Sequence, residues 1–415
     1  MFAGLSLDQA PPFEAPLKFF LTAPLFCIAG GFLLLNNQNI YLHDLSFVVP
    51  LHFITIGFIV MVIFGALLQM LPVVAGAVIK KSSLLANSVY SLIMFSLLSF
   101  TVSVFSTHKT FYFFSAIFLF AGLLLFSYVC VYKLFTVQNK TNIVNGLIFS
   151  LVSFIVAFLL GIHMFISHGT ENFSSFYHIF ASLHYNIIFF GFLFLLIASI
   201  SFQVIPMFWV SGIYQEYEQK SILYTTGLLL IFFTINTTAS LNLDLIYKIL
   251  MGFITIYFAV LTVKKLYDRK RKLKDVTVYF YYMSMISLIL GVTLWVLGGF
   301  FQISYLILGV FLGLGFVISL INGMIYKIVP FLTWFHLSSR GILEVPTMRD
   351  MISFKKSFFQ FIVHILSFLF FTVGFLFDSG YMIVYAIVLF IISNLFLFFY
   401  LLSCAKLYFT KKGQI

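Results

Sequence analysis

Neutral imidazole is the commonest metal ligand among side chains, and it binds iron, copper and zinc. The chain carries nine histidines. The stretch "HMFISHGTENFSSFYHIFASLHYN" holds His163, His168, His178 and His184 within 22 residues. His52 and His184 stand in apolar surroundings at the starts of two hydrophobic segments, which makes them the leading cofactor-binding candidates. His163 and His178 are candidates for further metal ligands. His43, His108 and His168 suit interfacial polar positions, and His336 in "TWFHLSSR" suits an interface anchor beside Trp334. His364 falls inside an apolar segment, where a hydrogen bond between helices accounts for it. Cys27, Cys130 and Cys404 are far apart in apolar stretches, so neither a disulfide framework nor a cysteine metal site is implied. No GxxxxGK[ST], GxSxG, HExxH or CxxC motif occurs, and no catalytic residue is assigned.

The elements that must position these histidines follow from composition. Hydrophobic residues make up 62% of the 415 and charged residues 8%, about a third of the usual charged share of a soluble domain. Such a chain cannot cover itself with polar surface, so the partner it requires is a lipid bilayer. A span needs roughly 20 mostly apolar residues to cross about 30 Å of hydrocarbon. Twelve stretches qualify: 17–36, 49–74, 83–105, 111–134, 143–167, 181–209, 222–242, 244–264, 277–299, 302–331, 357–377 and 381–408. The fold class expected is all-α, a polytopic membrane protein of about twelve transmembrane helices forming a single transmembrane domain over 1–415.

Lys and Arg set the expected orientation. They crowd the loops after even-numbered spans, as in "KKLYDRKRKLKD", and are nearly missing from the others. Both termini are therefore expected in the cytoplasm of a bacterial inner membrane, with seven histidines (all but His336 and His364) at the outer side. The net charge of +11 belongs to these loops. It reads as a topology signal beside anionic lipid, not as nucleic-acid binding.

Three segments share a pattern: "GFIVMVIFGALLQMLP" from Gly57, "GFLFLLIASISFQVIP" from Gly191 and "GFVISLINGMIYKIVP" from Gly315. In each, a long polar residue follows the glycine by 12 positions and a proline by 15: Gln69 and Pro72, Gln203 and Pro206, Lys327 and Pro330. These residues form an inner-side repeat motif in spans 2, 6 and 10, where each proline is expected to end or bend its helix. The period is four helices, giving repeat units at approximately 17–134, 143–264 and 277–408. Few ionisable groups enter the spans. Lys327 is the exception, and its long stem lets the ammonium reach the interface.

Twelve spans in three units of four, both ends inside, resemble the haem-copper oxidase subunit I superfamily. In that family an outer-side histidine of span 2 ligates haem, which His52 matches in place. A histidine of span 6 ligates copper, and His184, followed by Tyr185 and Asn186, lies near that position. Span 10 of this chain lacks the family's two haem-ligating histidines, and the family's histidine pair after span 6 is missing. The chain also resembles NnrS-like proteins, polytopic relatives associated with haem, copper and tolerance of nitric oxide. The resemblance implies haem or copper at the outer side, a respiratory partner subunit, and a role in respiration or nitrosative stress without complete oxygen reductase chemistry. Two alternatives stand beside it. One is a metal-free permease for a small solute, with Gln69, Gln203, Asn322 and Lys327 lining an inner gate. The other is a scaffold or assembly subunit whose ancestral site has decayed.

Overall fold

A computed structural model describes residues 11–36, 45–106, 108, 110–342 and 344–413. Twelve of its helices are long and apolar enough to cross a membrane, and the protein is a multi-pass membrane protein. They are α1 Glu14–Leu35, α2 Phe47–Ala75, α3 Ser82–Ser106, α4 Thr110–Thr136, α5 Asn142–Thr170 and α6 Tyr177–Trp209. Then come α7 Glu216–Ala239, α8 Asp244–Tyr267, α9 Val276–Leu297, α10 Tyr305–Ser338, α11 Phe354–Leu376 and α12 Gly380–Lys412. Every span expected from hydropathy is present, and most extend a few residues beyond the apolar run. Among the described residues there is no strand.

The chain divides into two compact units. The first contains α3 to α8 whole, and the second α1, α10, α11 and α12 whole. α2 divides at Leu68/Gln69 and α9 at Gly291/Val292, each contributing to both units. Within the first unit α3 packs on α4, α4 on α5, α5 on α6, and α7 on α8. Within the second, α12 packs on α1, α10 and α11, and α1 on α2.

Large apolar side chains turn outward throughout. On α4, Phe113, Ile117 and Tyr128 are exposed at helical spacing while Ala116, Leu123 and Cys130 are buried. Outward apolar faces of this kind suit hydrocarbon, which does not penalise them.

The short link between α7 and α8 works because one buried side chain closes it. Asn236 donates from Nδ2 to Asp244 Oδ1 at 2.9 Å and accepts the Leu243 N–H at 2.8 Å. Ser240 and Asn242 take left-handed backbone conformations (φ 53° and 59°), which reverses the chain in a few residues. α9 starts on a cap. Asp275 Oδ1 accepts from the Thr277 N–H at 3.1 Å and from its hydroxyl at 2.7 Å.

The repeat prolines do not all act alike. α2 runs three residues past Pro72 and α6 three residues past Pro206, so those two stand at helix ends. α10 continues from Pro330 to Ser338. The expectation that each proline ends or bends its helix at that point therefore fails as an ending in α10. A proline removes only its own N–H, and the turns beyond it close normally. Ser339 N–H, for example, bonds Phe335 O at 2.9 Å.

Candidate functional site

Each repeat segment begins in a widened turn. The backbone is π-helical over Phe53–Val60 in α2, Ile187–Phe194 in α6 and Val310–Ile318 in α10. These windows run from four, four and five residues before the repeat glycine to three after it. π-Helical turns are rare, usually single, and frequent at functional sites. Here three long ones fall at matching positions of three separate helices.

Close packing on the preceding span explains the glycines. A Cβ on Gly57 would lie 2.5 Å from Phe26 of α1. One on Gly191 would lie 2.8 Å from Ser153 of α5, and one on Gly315 would lie 2.6 Å from Ser287 of α9. Eight residues on, the same pairs of helices meet again. Gly65 packs on Phe19 and Phe20, and Gly323 packs on Phe280. In the middle copy the small residue has changed sides: Ser199 of α6 faces Gly146 of α5. The polar positions differ in burial: Gln69 is buried, while Gln203 and Lys327 are half-buried.

His52 lies at the entry to the first widened turn. Its Nδ1 bonds the Val48 carbonyl at 2.8 Å. His184 lies just before the second, and its Nδ1 bonds the Ala157 carbonyl of α5 at 2.7 Å. That ring fills the space left by Gly161, where a Cβ would come within 2.8 Å of Cε1. A carbonyl accepts only from an N–H, so Nδ1 carries the proton in both rings and Nε2 the lone pair. This is the tautomer and orientation used by imidazoles that ligate a metal through Nε2. The two rings are not held in equivalent ways. His52 precedes its repeat glycine by five residues, a register that Asn186 occupies in the second copy. Asn186 Oδ1 instead accepts from Tyr247 OH at 3.3 Å.

The other histidines separate clearly. His163 and His178 are exposed, with the His163 ring edge-on to Phe180 at 4.9 Å and His178 beside Tyr177 at 5.9 Å. His168 Nε2 bonds Tyr177 OH at 2.9 Å, and His108 is exposed. His43 lies outside the described residues. His336 stacks on Phe13 at 5.6 Å. His364 makes the interhelical hydrogen bond expected of it, Nε2 to Ser319 Oγ at 2.8 Å. Among the described residues no three His, Cys, Asp or Glu side chains converge on a point where they could share a metal ion. A copper centre built from several such ligands therefore does not fit them. A haem iron, by contrast, needs only a single axial imidazole from a protein.

Sequence reasoning missed the partner of Lys327. Its ammonium meets Asp275 Oδ2 at 2.5 Å, and both side chains are largely covered. Burial pushes the Asp275 carboxyl up, but the Lys327 charge and the Thr277 donors outweigh it and hold the pKa below 3.8. The 52 residues between the partners gave no sequence signal; only the start of α9 beside the end of the α10 repeat joins them. In the first unit, a groove of about 160 Å³ is lined by Gly212, Glu218, Leu261, Lys264, Lys265 and Asp268. Lys265 is already committed to Glu218 at 3.1 Å and to the Ile213 carbonyl at 2.9 Å.

No protein-family model matches the chain, and no curated protein matches it.

Proposed function

We propose that this is an oxidase-like membrane protein, built of three four-helix repeats, that holds a haem at the outer side through His52. His184 is the second candidate ligand. The observation that carries the reading is the pair of imidazoles at the mouths of two widened turns, each fixed through Nδ1 by a backbone carbonyl. The matched π-helical windows and the glycine contacts of α1 with α2, α5 with α6 and α9 with α10 support the threefold repetition. A bound haem would supply one-electron chemistry or binding of a diatomic gas. The chain's own contribution would be to orient the imidazole and to surround the group with apolar helix. With no histidine in α10 before His336 in its last turn, the reading is of haem chemistry short of oxygen reduction, in respiration or nitrosative stress, in a bacterial inner membrane with both termini cytoplasmic.

The test is haem and copper content per chain of detergent-purified protein, by pyridine haemochrome and elemental analysis. Stoichiometric haem with little copper supports the proposal; protein carrying neither contradicts it.

A further inference from the structure

The second unit contains a group of polar side chains that neither the histidine site nor the Lys327 pair uses. Ser319, Asn322 and Tyr326 lie within about 60° of one another around α10, by the 100° turn per residue. Gln360 and His364, four apart, share a face of α11. Asn322 is 0% exposed, and among the described residues neither its Oδ1 nor its Nδ2 has a hydrogen-bond partner. The same holds for the Tyr326 hydroxyl (7% exposed), for Gln360 Oε1 and for His364 Nδ1.

The two faces meet around one ring. Phe280 of α9 lies 6.2 Å from the Tyr326 ring and 5.7 Å from the His364 ring. His364 reaches α10 through Ser319 at 2.8 Å. The Ser319 hydroxyl also lies 3.0 Å from the Leu314 carbonyl, which can only accept its proton. Nε2–H of His364 then donates to Ser319 Oγ, and Nδ1 is left as a buried acceptor. The set therefore offers donors at Asn322 Nδ2 and Tyr326 OH, and acceptors at Asn322 Oδ1, Gln360 Oε1 and His364 Nδ1.

Buried polar groups in folded proteins are almost always satisfied, and where protein partners are lacking an ordered water supplies the bond. No carboxylate or ammonium belongs to the set, so a charged ligand has nothing to pair with. We propose that these side chains form an internal binding site for a cluster of water molecules enclosed by α9, α10, α11 and α12, from which Ser393 Oγ accepts the Gln360 Nε2–H at 2.8 Å. Water, which both donates and accepts, complements this mixture of groups. The site is independent of whether the protein carries haem.

Radiolytic hydroxyl-radical footprinting of the full-length protein in detergent tests this, because radicals form at bound water and oxidise the nearest side chains. Tyr281 is the internal control: it is also buried (1% exposed against 7% for Tyr326), and its hydroxyl is spent on Met324 Sδ at 3.3 Å. Tyr326 should be oxidised several-fold faster than Tyr281, and Asn322→Leu should bring the two rates together. Equal rates in the wild-type protein overturn the proposal, a result that does not depend on the variant folding. An unchanged excess at Tyr326 in a folded Asn322→Leu protein would also overturn it, since Asn322 would then hold no water.

Discussion

Two asparagines, both buried inside apolar helices, show opposite uses of the same side chain. Asn236, in the first unit, spends its amide on Asp244 and the Leu243 N–H and closes the α7–α8 link. Asn322, in the second, has no partner for either amide atom among the described residues. A satisfied buried amide organises the chain around it. An unsatisfied one costs about 1–3 kcal/mol for each group left without a bond, and has to be explained by something it binds. The widened turns divide in a similar way. Their glycines are spent on contacts with the preceding helix, whereas His52 and His184 at their mouths present imidazoles already set in one tautomer.

The contrast can be broken most sharply at Asn236. Replacing it with Leu strands the Asp244 carboxylate and the Leu243 N–H, and should destabilise the protein by about 2–4 kcal/mol. A fall of several degrees in the thermal unfolding midpoint in detergent would show it. Asn322→Leu should cost far less, because among the described residues no protein group depends on either amide atom.

Gly315→Ala comes next. It pushes a methyl into Ser287 and Phe368 and should cost about 1–3 kcal/mol. Gly313→Ala, with nothing within 4 Å, should be neutral or slightly stabilising. Equal midpoints for the two variants would remove the packing explanation of the repeat glycine.

The smallest expected effect concerns Asp275. Its carboxyl titrates lower in the folded protein than in the unfolded chain, so its stabilisation is fully present above the ordinary value of 3.8. It is lost as pH falls through the depressed folded value. Asp275→Asn should cost about 1–2 kcal/mol at neutral pH. The gap to wild type should close as the pH is taken well below 3.8. A gap independent of pH would mean that Asp275 acts mainly as a helix cap and not through its charge.

Hydropathy alone located the spans, because crossing hydrocarbon imposes length and apolarity on every helix regardless of its neighbours. The interhelical bond of His364 was legible for a related reason: a polar ring deep in a span has to find a partner. The fixed interval from glycine to polar residue to proline pointed to α2, α6 and α10. It could not show that the turns there are widened, since residue spacing says nothing of which carbonyl each N–H selects. The middle copy illustrates a further limit. There the small residue at the second contact is Gly146 on α5, facing Ser199, so the packing partners are matched while the letters are not. Asp275 was hidden because its role depends on where α9 starts beside α10. The orphaned atoms of Asn322, Tyr326, Gln360 and His364 emerge only once every neighbour is placed.

The histidines carry the central claim, and His364 supplies its control: it is a buried imidazole with a structural bond and no place in the proposed haem site. The deciding measurement is a dithionite-reduced minus oxidised optical spectrum of detergent-purified wild type, His52→Ala and His364→Ala. The account predicts a haem signal in wild type that persists in His364→Ala and is lost in His52→Ala. A flat wild-type spectrum, or a signal that His52→Ala leaves unchanged, would contradict it.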